Sequence, residues 1–215
     1  MSVNLAKLLI HSQSQPVAIA DLDIVNPYFR SREAVRELDA LGIKSLIPPG
    51  SQSYADLPII IPEIRGAIER NEGVLILDVG GDDTGAKVLS SLSDAFAADS
   101  YDLLLVLNAN RPFTANLEGC LKMIHAIEAA SRLKFTGIIS NTHLMDYTTL
   151  EIVLDGLKLA EKVSAATKLP VYFLSSTSDI IDKINPRNFT YPVLTLERSL
   201  LKPWESKKIS GTDKK

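Results

Sequence analysis

The chain has 215 residues, 46% of them hydrophobic and 23% charged, which suits a single globular domain with a sizeable core. A formal net charge of −3 argues against a general nucleic-acid-binding surface. A lone cysteine excludes an internal disulfide framework, and neither a secretory signal nor a membrane-spanning apolar run is present, so a soluble, cytoplasmic protein is expected.

Along the chain, apolar runs alternate with helical patterns. Helices are predicted near Val3–Ile10, Arg32–Leu41, Glu63–Arg70, Ala86–Phe96, Leu117–Arg132 and Thr149–Ala165. Between and after them fall strands at Val17–Asp21, Ile43–Ile47, Val74–Asp78, Leu103–Leu107, Phe135–Ser140 and Val171–Leu174. Such alternation argues for an α/β protein with a parallel sheet. Thr148 and Glu151 have capping-box spacing at the last helix. Pro48 to Pro62 form the longest irregular stretch and read as a surface connection. No internal repeat or low-complexity tract interrupts the pattern. The expected organisation is one domain over 1–200 and a flexible, Lys-rich tail over 201–215. In that tail Leu200, Leu201 and Trp204 lie beside lysines, but Pro203 interrupts any amphipathic helix, so membrane targeting is not expected.

The chemistry is concentrated at predicted strand ends, where open parallel sheets place their ligands. Val74-Leu-Ile-Leu-Asp78 is an apolar run ending in a carboxylate, followed by Gly80 and Gly81. An aspartate there can hold a hydrated Mg²⁺, or merely cap the next helix. The glycines would let the backbone approach a terminal phosphate. In Val17-Ala-Ile-Ala-Asp21-Leu-Asp23, the two aspartates alternate, so on a strand they share one face. Both then reach a metal-bound phosphate or an attacking water, unless the segment is an ordinary solvated turn. Arg30 and Arg32 fit ordinary surface charges better than phosphate contacts.

Gly80 to Gly85 has the spacing of a phosphate loop, but Ala86 and Lys87 stand where Lys and Ser or Thr are required. Asp82 and Asp83 would repel a polyphosphate there, so the segment reads as a metal and switch element. Asn108, Asn110 and Arg111 follow another strand end. Arg111 either supplies positive charge to a phosphate or a partner carboxylate, or serves structure, with Thr114 as N-cap. Cys120 falls with Leu117, Leu121 and Ile124 on an apolar helical stripe and reads as core. The three histidines are too scattered for a metal site, and only His143 lies near a crevice edge.

Four ordered segments are similar to a known family. Asp21-Leu-Asp-Ile-Val-Asn-Pro-Tyr-Phe-Arg-Ser-Arg-Glu33, Leu77-Asp-Val-Gly-Gly-Asp-Asp-Thr-Gly-Ala86, Asn108-Ala-Asn-Arg-Pro-Phe-Thr114 and Ser140-Asn-Thr-His-Leu144 resemble the MinD/ParA/CobQ-CobB-type P-loop ATPases. The nearest likeness is to a little-described bacterial and archaeal branch, and it runs from about Ser2 to Thr190. Members open with a strand and a Gly-rich loop ending in Gly-Lys-Thr, and Ser2–Leu9 resembles the helix that follows directly. The resemblance therefore implies a three-layer α/β/α fold with a mainly parallel sheet, whose first, central strand and phosphate loop are missing from this sequence.

It also implies ATP and Mg²⁺ as ligands of the full-length form, with Asp78 coordinating the metal through water. Asp21 or Asp23 would orient metal or water, and the Gly80–Gly85 segment would act as a γ-phosphate switch. Asn141 stands where the family reads the adenine edge with an amide, a group with both donor and acceptor, although it also suits a turn after its strand. ATP-dependent homodimerisation is a further implication. Without the phosphate lysine and the metal-binding hydroxyl, hydrolysis by this polypeptide is not expected. The competing reading is a non-catalytic interaction protein that presents the switch surface to a protein partner.

Overall fold

The computed structural model describes residues 1–12, 15–23, 35–46, 62–97, 99–184 and 190–198. Arg30, Arg32, the irregular stretch from Pro48 to residue 61 and the Lys-rich tail lie outside the described residues. Two compact units divide the chain, one comprising Met1–Gly80 with the segment from Glu197, the other Gly81–Leu196.

In the first unit, helix α1 (Ser2–Ser12) leads into strand β1 (Val17–Asp21), followed by α2 (Val35–Ala40), β2 (Lys44–Leu46), α3 (Pro62–Arg70) and β3 (Val74–Asp78). The strands form a parallel sheet in the order β2-β1-β3. Strand β1 is the central one, and its apolar run is what a strand covered on both faces requires. Val17 and Ile19 pack with Val3 and Ala6 of α1, Leu38 of α2, Ile43 and Ile76 into one core. Gly73, at φ +81°, makes the turn into β3. A Cβ there would stand 2.3 Å from the Pro16 carbonyl oxygen, which the Val74 amide needs as its acceptor at 2.9 Å. The segment beginning at Glu197 returns to α1, where Asn4 exchanges two hydrogen bonds with the Glu197 backbone at 2.8 and 2.9 Å.

The second unit contains α4 (Asp83–Ala86), β4 (Leu104–Leu107), α5 (Leu117–Ser131), β5 (Gly137–Ser140), α6 (Leu150–Thr167), β6 (Val171–Thr177), α7 (Ser178–Ile181) and β7 (Val193–Leu196). Its sheet is parallel, in the order β4-β5-β6-β7. Helix α5 buries Cys120, Ile124 and Ile127 at helical spacing, against Leu105, Leu107, Phe135 and Ile138. Val153 and Leu157 of α6 pack with Leu174 and Ile180 in a second cluster. The fold is therefore α/β with parallel sheets and intervening helices, as the alternating pattern predicts.

Several local expectations are corrected. The helix predicted over Ala86–Phe96 is one turn of α-helix followed by 3₁₀ turns at Lys87–Ser91 and Ser93–Ala95. Ser90, Ser91 and Ser93 each donate to the carbonyl three residues earlier, at 2.8, 2.7 and 2.9 Å. Those bonds compete with the α-helical ladder. The N-cap of α6 is Thr149, whose side chain accepts from the Ile152 amide at 3.3 Å, while Thr148 donates to the Met145 carbonyl. Likewise Asn116 caps α5, and Thr114 donates to the Asn108 carbonyl at 2.8 Å. Strand β6 runs three residues beyond Leu174 because Ser175, Ser176 and Thr177 pair with β7, a strand the sequence reading did not find.

Candidate functional site

In the first unit, the ends of β1 and β3 lie level, with Asp21 directly opposite Asp78. The Ser2 hydroxyl, at the start of α1, donates to Asp78 Oδ1 at 2.9 Å. Burial pushes the Asp78 carboxyl above its ordinary range. The Ser2 bond and the Met1 ammonium pull it back down, and the nearby Asp23 charge raises it again. The expectation that Asp21 and Asp23 share a strand face is corrected. Strand β1 ends at Asp21, whose Oδ1 accepts from the Asp23 amide at 3.0 Å, so the side chain of the first aspartate fixes a turn that carries the second. The structure thus gathers Asp21, Asp23 and Asp78 at one sheet end. Among the described residues no group of three or more His, Cys, Asp or Glu is arranged to hold a metal ion.

Gly80 is buried, and neither it nor Gly81 adopts a left-handed backbone. Nothing lies within 4 Å of where a Gly81 Cβ would stand. In the second unit, Asp82 Oδ1 accepts from the Gly85 amide at 2.7 Å and caps α4. A cap already occupied by its own carboxylate is no phosphate cradle, which agrees with reading this segment as a decoy for a phosphate loop.

At the carboxyl ends of β4, β5 and β6, the second unit gathers amides and hydroxyls instead of carboxylates. The Asn141 amide nitrogen of the backbone donates to the Leu107 carbonyl at 2.8 Å, and the Asn141 Oδ1 accepts from Ser175 Oγ at 3.0 Å. Asn108 ties the two neighbouring loops together. Its Nδ2 donates to the His143 carbonyl at 3.3 Å, and its Oδ1 accepts from the Asn110 amide at 2.9 Å. Thr142, 2% exposed, accepts from the Ala109 amide at 3.0 Å. Helix α6 presses so closely on this loop that a Cβ at Gly156 would stand 2.1 Å from Thr142 Oγ1. Arg111 is exposed on the loop after β4. His143 is half-buried, with Nδ1 accepting from the Met145 amide at 3.4 Å, while His11 and His125 are exposed. Cys120 is fully buried, as expected of a core residue, and burial pushes its thiol pKa up.

A cleft of about 440 Å³ in the same unit is lined by Asp83, Thr84, Lys87, Ser90 and Arg132; Asp83 and Thr84 belong to the expected switch segment, and neither Asn141 nor Arg111 lines it. Three residues escaped the sequence reading of the site: Ser2, Thr142 and Ser175. For Ser175 the signal was available, since β6 passes from Phe173-Leu174 to Ser175-Ser176-Thr177, the same apolar-to-polar change that marks Asp78 and Asn141.

No family model matches the chain, and no curated protein matches it. Among solved structures it is similar to FtsY from Mycoplasma mycoides, at 17% identity over 81% of this chain and 54% of that one, with a TM-score of 0.48. It is also similar to the signal recognition particle receptor FtsY from Elizabethkingia anophelis, at 14% identity over 93% of this chain and 57% of that one, with a TM-score of 0.49. The same receptor in complex with GDP gives 15% identity, 80% and 51% coverage and a TM-score of 0.46. The chain spans about half the length of these structures. Among the described residues no helix is long and apolar enough to cross a membrane.

Proposed function

We propose that this chain is a nucleotide-binding protein of the MinD/ParA type, which binds Mg·ATP. The observation that carries this reading is the half-buried Asp78 carboxylate at the end of β3, level with Asp21 and hydrogen-bonded by a hydroxyl from the first turn of α1. A strand-end aspartate beside a helix-start hydroxyl is the donor pair with which phosphate-loop proteins hold Mg²⁺. The four ordered sequence motifs support the same assignment.

The donor set fits the metal. Mg²⁺ takes oxygen ligands and keeps several waters, so it needs few protein ligands. Asp78 and Ser2 would hold it, and when bound it supplies charge neutralisation to the phosphate oxygens. Asp21 fixes the turn that brings Asp23 near Asp78, and the added negative charge favours a cation there. Gly80, two residues after Asp78, accepts the approach of a phosphate.

A second reading has its own observation. Phe113 and Tyr147 are 75% and 83% exposed, with Leu144 and Met145 also exposed on the loop after β5. Exposed aromatic and aliphatic groups of this kind suit a protein partner or a second copy of the chain. Isothermal titration separates the two readings. Heat with Mg·ATP or Mg·GTP that is lost in Asp78→Ala supports nucleotide binding. A folded chain that gives no heat with either nucleotide overturns it and leaves the interaction protein.

A further inference from the structure

We propose that the cleft between the 3₁₀ turn at Lys87–Ser91 and the end of α5 binds a small hydroxylated phosphomonoester, with Lys87 and Arg132 holding the phosphate and Asp83 and Ser90 accepting from the hydroxyls. The site lies wholly within the second unit, and the inference stands apart from the nucleotide reading above.

One wall of the cleft follows from the interrupted helix. Thr84, Lys87 and Ser90 recur every third residue and all line the space. In 3₁₀ backbone, side chains at i and i+3 eclipse, so the turn stacks Lys87 over Ser90, while Val88 and Leu89, 7% and 2% exposed, enter the core. The other wall is the last turn of α5, where the short side chains of Ala129 and Ala130 leave room and Arg132 follows the helix. At about 440 Å³ the cleft has the size of a small-molecule site.

What marks the cleft is that its charges are unanswered. Elsewhere in the unit Lys122 pairs with Glu118, Lys134 with Glu128 and Lys158 with Asp155. Arg132 stands four residues after Glu128, a spacing at which ion pairs form, but Glu128 is committed to Lys134 at 2.6 Å and to the Phe135 amide at 3.1 Å. Lys168 holds the same left-handed position after α6 and turns its ammonium back to the Ala165 carbonyl at 3.1 Å, whereas Arg132 makes no such bond. Asp83 and Lys87 are also four apart, yet the change from α to 3₁₀ backbone between them leaves them unpaired. Among the described residues, the charged groups of Asp83, Lys87 and Arg132 have no hydrogen-bond or ion-pair partner. An arginine after a helix is answered in part by the carbonyl end of that helix, but a lysine from a second element facing the same space is not.

Two cations against one carboxylate leave a single net positive charge in the cleft, which suits one phosphate group and not a polyphosphate chain. Cations on opposite walls meet a tetrahedral phosphate from different directions, whereas a planar carboxylate is satisfied by one guanidinium fork. Ser90 has committed its proton to the Lys87 carbonyl at 2.8 Å, so Ser90 and Asp83 can only accept, and their counterparts are hydroxyls of the ligand.

The test titrates inorganic phosphate, glycerol 3-phosphate and succinate into the full chain at constant ionic strength, followed by backbone amide shifts in nuclear magnetic resonance. Both phosphates are expected to give saturable shifts confined to residues 83–91 and 129–132, with glycerol 3-phosphate the tighter. Lys87→Gln and Arg132→Gly should each weaken binding about fivefold, the upper end for an exposed charge pair, and Lys87→Arg should retain it. Arg132→Gly also relieves a left-handed φ of 63°, so it should melt no lower than the wild type, which separates loss of a ligand group from loss of fold. Succinate bound as tightly as glycerol 3-phosphate, or no gain of glycerol 3-phosphate over inorganic phosphate, overturns the ligand class. Shifts spread over other basic surface, or binding unchanged in both folded variants, overturns the site. Neither result touches the nucleotide reading, which stands or falls on the Asp78→Ala titration.

Discussion

The two units place their chemistry at the same kind of location and use opposite means. The three-stranded sheet of the first unit ends in Asp21, Asp23 and Asp78, groups that carry charge and whose burial is unfavourable without a cation. The four-stranded sheet of the second unit ends in the neutral groups Asn141, Thr142 and Ser175, where Ser175 donates to Asn141 and Thr142 accepts from the Ala109 amide. Charge attracts a metal and its phosphates, whereas neutral donors and acceptors discriminate by direction. The contrast shows that a parallel sheet fixes where ligand-facing residues stand, and leaves their chemistry to the residues at the strand ends.

The largest expected effect tests whether the units are separately stable. Ile19 in the first core and Ile138 in the second are 1% and 0% exposed. Truncating either to alanine should cost about 3 kcal/mol through lost burial and the cavity left behind. Amide hydrogen exchange should lose protection over residues 1–80 in Ile19→Ala and over 81–196 in Ile138→Ala. Equal loss across both units in either variant would show that they unfold as one.

A smaller effect concerns the charge that distinguishes the first unit. Because burial raises the Asp78 pKa in the folded chain, the native carboxyl keeps its proton in a pH range where the unfolded chain has released it. The native state then binds more protons, so stability falls as pH rises from the unfolded value through the raised folded one. Above the raised folded value the ionised, half-buried carboxylate is a net cost. Asp78→Asn should therefore melt higher than the wild type at pH 7, with the advantage disappearing below about pH 4, where both states are protonated. The same variant should lose Mg·nucleotide, the pattern of a site kept for function at the expense of stability. Smallest is the cap in the second unit. Thr149→Ala should lower stability by about 1 kcal/mol, read by chemical denaturation, while Thr148→Ala removes no cap.

Much of this arrangement was legible because the strand ends announce themselves in sequence. Val74-Leu-Ile-Leu-Asp78 and Gly137-Ile-Ile-Ser-Asn141 each pass abruptly from an apolar run to a polar side chain, and the structure places both at carboxyl ends of parallel strands. What was not legible depended on partners remote in the chain. The change from Leu174 to Ser175 marks a strand end locally, but that β6 continues through Thr177 depends on its pairing with β7, where Ser175 faces Leu194. Nor does local pattern show that Ser2 meets Asp78, 76 residues away. The interrupted helix after Asp83 failed for a different reason. Its apolar spacing is helical, but three serines offer the backbone an alternative set of bonds.

Cys120 sits at the centre of the second core, fully buried, with its thiol pKa raised. Because the sequence holds no other cysteine, that sulfur is a clock for a single region. A thiol reagent reaches it only when α5 lifts from the sheet, so the labelling rate counts openings of the second unit and is silent about the first. Any ligand held at the ends of β4, β5 and β6 should slow that clock in proportion to its occupancy, without a nucleotide label and without a catalytic readout.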